Sequence, residues 1–137
     1  MLREKRILLV VTGGIAAFKS LDLVRQIRSA GGKVRTILTQ SATEFVTPLS
    51  LQALTEDKVY SDIFSLTDES EMGHIQLSRK ADLIVVAPAT ANFMAKMRAG
   101  ISDDLASTVV LATDKPIIVA PATVSYTHLT LPTICSV

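Results

Sequence analysis

The sequence contains a single cysteine, Cys135, no tryptophan, and only two histidines among its 137 residues. One cysteine excludes an internal disulfide framework and favours a reducing compartment, so the cytoplasm is the expected location. Two histidines and one cysteine at unrelated spacings do not form the ligand pattern of a structural zinc site. No metal is therefore expected.

The sequence also lacks a long apolar run and a large excess of charge of either sign. No apolar stretch reaches the roughly 18–20 residues that a membrane span requires, and the N-terminus lacks the apolar core of a secretory signal. With a net charge of +1, a broad attraction to nucleic acid or to an anionic membrane is not expected. With 48% hydrophobic and 20% charged residues, the composition is typical of one soluble globular domain.

Apolar runs and helix-like spacings alternate along the chain. The apolar runs at 6–11, 34–38, 83–87 and 116–120 predict strands that are buried on both faces. Helices are predicted at 15–27, in pieces over 43–54, and at 74–80, 91–99 and 102–112, while 59–64 is compatible with either a strand or a loop. The first helix is predicted to bury one face, formed by Ile15, Phe18, Leu21, Val24 and Ile27. This alternation predicts a three-layer α/β/α fold with a parallel sheet.

The most informative segment is 84–93, where an apolar strand is predicted to end at Pro88 and to be followed by Thr90 and Asn92 at the start of a helix. In open α/β sheets ligands bind at the carboxyl ends of the strands, and helix N-termini present unpaired N–H groups there. Four segments follow predicted strands in this way: 12–16, 39–41, 88–93 and 120–123. We therefore expect them to converge on one ligand site.

The residues of these segments leave the identity of the ligand open. The glycine pair at 13 and 14 permits a tight turn and a close approach by a ligand, but it matches neither the Gly-x-Gly-x-x-Gly nor the P-loop pattern. No acidic residue follows the second strand, which argues against a nicotinamide dehydrogenase. A lone histidine such as His74 is more often a surface or capping residue than a catalyst.

Four segments taken together resemble the homo-oligomeric flavin-containing cysteine decarboxylases. They are GGIAAFK at 13–19, MGHIQLS at 72–78, APATAN at 87–92 and GISDDL at 100–105. The resemblance covers about residues 5–122, in order and at the family's spacing. Among the members, the branch that acts on 4′-phosphopantothenoylcysteine is the most similar.

The resemblance implies a flavodoxin-like or Rossmann-like sheet, assembled as homo-trimers or trimer-based dodecamers, with flavin mononucleotide (FMN) bound between subunits. It implies His74 as a catalytic residue, acting beside the flavin of a neighbouring subunit. Phe93 replaces a small polar residue of some relatives, so its contact is expected through the backbone. The residues implied to bind the cofactor are Gly13, Gly14, Ile15, Ala16, Thr39, Gln40, Ser41, Thr90, Ala91, Asn92, Phe93 and Ala122.

The reaction implied by the resemblance is the FMN-dependent decarboxylation of 4′-phosphopantothenoylcysteine to 4′-phosphopantetheine in coenzyme A biosynthesis. The sequence departs from the family after residue 122. Val124 stands where the family has an asparagine that binds the substrate carboxylate. We therefore expect a truncated flavoprotein domain at 1–123 and a non-family tail at 124–137 that contains Cys135, and we expect impaired turnover.

Three alternatives remain open at this point. A decarboxylase acting on a peptide C-terminal cysteine shares much of the implied site. A flavin prenyltransferase shares the fold, although His74 and the segment 90–92 argue against it. A non-catalytic flavin-binding subunit is compatible with Val124, because valine cannot form the hydrogen bonds of the missing asparagine.

Overall fold

The computed structural model describes residues 2–61 and 76–122, and these form one alternating α/β unit. Short 3₁₀ turns at Ile15–Phe18 and Ser41–Glu44 follow the first two strands. The elements in chain order are β1 (Arg6–Val11), α1 (Lys19–Ser29), β2 (Lys33–Leu38), α2 (Pro48–Thr55), β3 (Val59–Ser61), the helix α3 over residues 76–80, β4 (Leu83–Ala89), α4 (Ala91–Ala99), α5 (Leu105–Ala112) and β5 (Ile117–Pro121).

The sheet is parallel and has the strand order β3-β2-β1-β4-β5. This confirms the predicted α/β fold class and resolves the segment after residue 59, which begins with a strand. The first strand β1 pairs with β2 on one side and with β4 on the other. Because the chain runs outward from β1 in both directions, the loops after β1 and β4 diverge and leave a crevice between them.

Each face of the sheet carries its own apolar core, as the three-layer prediction requires. Alternate residues of β1 point to opposite faces, since side chains alternate along a strand. Leu8 and Val10 join a cluster formed with α3, α4 and α5. Ile7, Leu9 and Val11 join a second cluster formed with α1 and α2. The central strand is therefore buried on both sides.

The predicted buried face of the first helix is wrong at its beginning. Ile15 is 69% exposed and Phe18 is 54% exposed, whereas Ala17 and Val24 are fully buried. The cause is the 3₁₀ turn at Ile15–Phe18, because a 3₁₀ helix has three residues per turn rather than 3.6 and so turns a different face inward. The predicted buried face is found only within α1, where Val24 and Ile27 are buried.

The predicted end of the fourth strand at Pro88 is also wrong. Strand β4 continues through Pro88 to Ala89, and its pairing with β5 shifts in register between Val86 and Ala89. Proline has no N–H to donate to a ladder, so the pairing is interrupted there without ending the strand. The helix that follows begins at Ala91, as expected.

At the opposite, amino edge of the sheet, β1 and β4 are joined by reciprocal hydrogen bonds. The Arg6 N–H donates to the Asp82 carboxylate at 2.8 Å, and the Asp82 N–H donates to the Arg6 carbonyl at 2.7 Å. The hydrogen bond from the Arg6 backbone, assisted by the Arg6 guanidinium, lowers the pKa of Asp82. These contacts align the start of β4 with the start of β1.

Within residues 2–61 and 76–122, each helix is too short or too polar to cross a bilayer. The predictions for His74 and for the tail at 124–137 fall on residues outside this description.

Candidate functional site

The predicted cofactor-binding residues lie at the carboxyl edge of the sheet, around the crevice between β1 and β4. Two cavities open there, with volumes of about 620 Å³ and about 240 Å³. They adjoin each other because Thr90 and Asn92 line both. A further cavity of about 280 Å³ lies at the amino edge and contains none of the predicted residues.

Every predicted cofactor-binding residue lines one of these two cavities. The larger cavity contains the segment after β2 and part of the segment after β4, namely Thr39, Gln40, Ser41, Thr90, Asn92 and Phe93. The smaller cavity contains the segment after β1, the start of α4 and the residue after β5, namely Gly13, Gly14, Ile15, Ala16, Thr90, Ala91, Asn92 and Ala122. The fold thus brings the four predicted segments together.

The loop after β1 packs tightly against the loop after β2. A Cβ atom at Gly13 would lie 2.5 Å from both the Cβ and the Oγ of Ser41 and 2.8 Å from its carbonyl carbon. Real Cβ atoms do not approach other atoms so closely, so a side chain at position 13 would force the loops apart. At Gly14 an added Cβ would meet only the Thr90 Cγ2, at 3.7 Å. The lack of a side chain at Gly14 leaves that space to the smaller cavity.

The loop after β2 presents two hydroxyl groups beside the larger cavity. Thr39 is buried, and its Oγ1 accepts a hydrogen bond from the Ala42 N–H at 3.2 Å. The Ser41 Oγ lies 3.3 Å from the Thr39 Oγ1 and belongs to an exposed residue. Thr39 therefore caps the following turn, while Ser41 remains accessible to a ligand.

The start of α4 is a capped helix N-terminus that faces both cavities. The Thr90 Oγ1 accepts from the Phe93 N–H at 3.2 Å, and the Thr90 carbonyl accepts from the Met94 N–H at 2.9 Å. The Phe93 side chain is only 3% exposed and belongs to the apolar core. The N–H groups of Ala91 and Asn92 lie in the first helical turn, where no intrahelical acceptor exists. They are donors suited to an anion.

Thr12 is part of this site and was not among the predicted binding residues. Its side chain is 1% exposed, and its Oγ1 donates to the Pro88 carbonyl and accepts from the Thr90 N–H at 3.0 Å. The hydroxyl thus joins the end of β1 to the end of β4. Its place directly after a buried strand and before two glycines is a sequence signal that points to such a role.

A group of charged side chains at the outer wall of the larger cavity also went unpredicted. The Lys96 ammonium lies 3.1 Å from an Asp103 carboxylate oxygen and 3.7 Å from one of Asp104. The Asp104 carboxylate also accepts from the Ser107 N–H at 2.8 Å and caps α5, which begins at Leu105 and not at the predicted residue 102. Asp103 and Asp104 lie in the connection between α4 and α5, so this contact forms within one helix–turn–helix segment.

The distribution of charge gives the two cavities different chemistry. Among the described residues, the larger one is lined by Glu44, Asp103 and Asp104 and by one cation, Lys96. The described lining of the smaller one contains no charged side chain, and it includes the N-terminus of α4. An anionic group is therefore favoured in the smaller cavity, and an uncharged, hydrogen-bonding portion of the same ligand is favoured in the larger one.

The remaining predicted residues are placed as follows. Ala122 is held beside the smaller cavity by its N–H, which donates to the Ala89 carbonyl at 3.0 Å. His74 lies outside the described residues, so its position relative to the cavities stays a prediction. Among the described residues, no group of three or more His, Cys, Asp or Glu side chains could hold a metal ion.

Comparison with known proteins identifies relatives of the whole arrangement. The Flavoprotein family model matches residues 1–130. The Coenzyme A biosynthesis bifunctional protein CoaBC of Vibrio vulnificus is 47% identical over 121 residues, which is 88% of this chain and 30% of that protein. The chain therefore spans about 30% of the length of the curated relatives that it matches.

Two solved structures are similar throughout the fold. The FMN-dependent cysteine decarboxylase TvaF from thioviridamide biosynthesis is 29% identical with a TM-score of 0.83, over 93% of this chain and 78% of that one. A PPC decarboxylase variant complexed with pantothenoylaminoethenethiol is 32% identical with a TM-score of 0.71, over 90% of this chain and 69% of that one.

The contact between Gly13 and Ser41 predicts that Gly13→Ala destabilises the chain. Overpacking against a neighbouring backbone costs about 1–3 kcal/mol, and this should appear as a lower free energy of unfolding in urea. Ser41→Gly in the Gly13→Ala background is the matched control and should recover part of the loss, because it removes the Cβ and Oγ that lie 2.5 Å from the added Cβ. Equal losses of stability in the single and double variants would contradict the proposed contact between Gly13 and Ser41.

Proposed function

Because the chain belongs to the Flavoprotein family, we propose that it binds FMN and decarboxylates 4′-phosphopantothenoylcysteine to 4′-phosphopantetheine in coenzyme A biosynthesis. The observation that carries this proposal is the convergence of all twelve predicted cofactor-binding residues on two adjoining cavities at the β1–β4 crevice. The names of the relatives support the same cofactor and substrate.

The two cavities suit the different parts of FMN. The phosphate is proposed to lie in the smaller cavity, where Ala91 and Asn92 offer N–H donors and no charged side chain of the described lining opposes it. The ribityl hydroxyls and the ring are proposed to extend towards Ser41 in the larger cavity. At about 620 Å³, that cavity falls within the range of about 300–1,000 Å³ typical of cofactor and small-molecule sites.

The chain's own residues are proposed to bind, orient and transfer protons. Gly13 and Gly14 let the backbone approach the cofactor closely, and the Asn92 amide is available to donate to it or accept from it. When bound, FMN supplies an electron sink for oxidation of the thiol-bearing carbon, which makes loss of carbon dioxide from the neighbouring carbon feasible. An imidazole nitrogen of His74 is proposed to carry a proton in that half of the reaction, because imidazole titrates near neutral pH.

The substrate half of the site is proposed to be weaker than the cofactor half. Val124 occupies the position of the family asparagine and has no donor for a substrate carboxylate. We therefore expect firm FMN binding together with slow turnover. The replacement of this asparagine by Val124 also favours a second candidate function, that of a non-catalytic flavin-binding subunit.

We also propose that the chain is a homo-oligomer, either a trimer or a dodecamer built of trimers, in the cytoplasm. Ile15 and Phe18 are 69% and 54% exposed, and Ile15 lines the smaller cavity. Large apolar side chains exposed beside a ligand site are typical of a surface that another subunit covers. The single cysteine supports a reducing compartment.

Titration of the purified chain with FMN tests the cofactor proposal directly. We expect a yellow complex with a flavin absorbance spectrum displaced from that of free FMN. Carbon dioxide release and 4′-phosphopantetheine formation from 4′-phosphopantothenoylcysteine would then establish the enzyme. Binding without any product would favour the flavin-binding subunit, and absence of the yellow complex would overturn both candidates.

Replacement of His74 should separate catalysis from cofactor binding. In His74→Asn we expect FMN affinity to be retained and the rate of carbon dioxide release to fall by about 10²–10⁴-fold, the usual contribution of a general acid or base. His128→Asn is the matched control, because the chain has only these two histidines. The proposed role of His74 fails if both variants release carbon dioxide at the same rate.

The oligomer proposal predicts that Phe18→Glu lowers the molar mass of the chain measured by light scattering after size-exclusion chromatography. Leu111→Glu, at another exposed apolar residue that is 41% accessible, should leave the mass unchanged. The sample should be purified from the cytoplasmic fraction, where we expect to recover the chain. A monomeric mass for the unchanged chain would refute the proposed oligomer.

A further inference from the structure

The paired part of β1 and β4 ends before the ligand site begins. Their register runs from Ile7 opposite Leu83 to Val10 opposite Val86. Beyond Val86 the pairing of β4 with β5 is also interrupted, up to Ala89. The backbone between Val86 and Ala89, which leads to α4, therefore lacks the regular hydrogen bonds of a sheet along the crevice.

Thr12 supplies the connection at this point. Its N–H donates to the Pro88 carbonyl at 3.3 Å, and its buried hydroxyl donates to the same carbonyl. The same hydroxyl accepts from the Thr90 N–H at 3.0 Å. The Thr12 Oγ1 thus pairs with the Pro88 carbonyl and with the Thr90 N–H, on either side of Ala89. A buried backbone group left unpaired here would destabilise the fold.

We propose that Thr12 is a positioning residue for the cofactor site, a role that rests on the proposed binding of FMN. The Thr12 hydroxyl holds the Thr90 backbone, and Thr90 caps α4 through its own side chain. The N–H groups of Ala91 and Asn92 therefore keep a fixed place opposite the wall formed by residues 13–16. Thr12 also lines the larger cavity, but its hydroxyl is engaged with Pro88 and Thr90, so its effect on the cofactor is proposed to pass through Thr90.

Thr36 in β2 offers a matched control for the loss of a buried hydroxyl. It is fully buried, and among the described residues its Oγ1 has no hydrogen-bond partner. Valine has the shape of threonine without the hydroxyl, so Thr36→Val removes no hydrogen bond. The same substitution at Thr12 removes two.

The experiment compares Thr12→Val, Thr12→Ser and Thr36→Val with the unchanged 137-residue chain. The dissociation constant for FMN and the absorbance spectrum of the saturated complex are measured for each. We expect Thr12→Val to weaken FMN binding about tenfold, which corresponds to about 1.4 kcal/mol, and to shift the bound-flavin spectrum. Thr12→Ser keeps the oxygen and should restore both affinity and spectrum, while Thr36→Val should change neither.

Two results would overturn the role of Thr12 while leaving the proposed function intact. One is FMN binding by Thr12→Val with unchanged affinity and spectrum. The other is failure of Thr12→Ser to bind as tightly as the unchanged chain when its circular dichroism is unaltered. If the unchanged chain itself does not bind FMN, the proposed function fails first, and the two failures are thereby distinguished.

A measurement on the unchanged chain covers the case in which Thr12→Val does not fold. Hydrogen exchange of the Thr90 amide should be slow, because that N–H is donated to a buried oxygen. Exchange at the rate of an exposed loop amide would overturn the proposal without any variant.

Discussion

Burial of β1 on both faces and pairing along both of its edges is the constraint on which the rest of the structure depends. Its residues fill two separate apolar cores, and its backbone carries β2 on one side and β4 on the other. The chain leaves β1 first towards β2, through a crossover because a hairpin cannot join parallel strands, and it reaches β4 on the other side of β1 only later. The crevice between the diverging loops follows from that order, and both cavities lie there.

The site combines close backbone packing with a separation of charge. Gly13 lies against Ser41 so tightly that the loops after β1 and β2 form one wall. The residues described around the smaller cavity carry no charge, so the N-terminus of α4 is the main electrostatic feature among them. The carboxylates of Asp103 and Asp104 line the larger cavity, where Lys96 neutralises part of their charge. A ligand with one anionic end and a polar, uncharged body matches this arrangement.

Much of this could be predicted from sequence because the relevant signals are local. Apolar runs predicted four of the strands, and the spacing of apolar residues predicted the helices that follow them. The errors arose where local rules compete with tertiary packing. The 3₁₀ turn after β1 exposed Ile15 and Phe18, and β4 continued through Pro88 because an interruption in its pairing with β5 accommodates a residue without an N–H. The bridging role of Thr12 depends on contacts between residues distant in the chain.

The sequence by itself determined the order of strands and helices, the four segments that end at one edge of the sheet, and the resemblance that implies a flavin. The first two follow from composition and spacing, which act over a few residues, whereas the flavin is implied only by the resemblance of four segments to a known family. Only the tertiary structure decided which of the loops touch, how the cavities divide between an uncharged and a charged lining, and which hydroxyl spans the crevice. Thr12 and Thr90 are 78 residues apart in the chain, and a hydrogen bond between them exists only because β1 and β4 pair side by side.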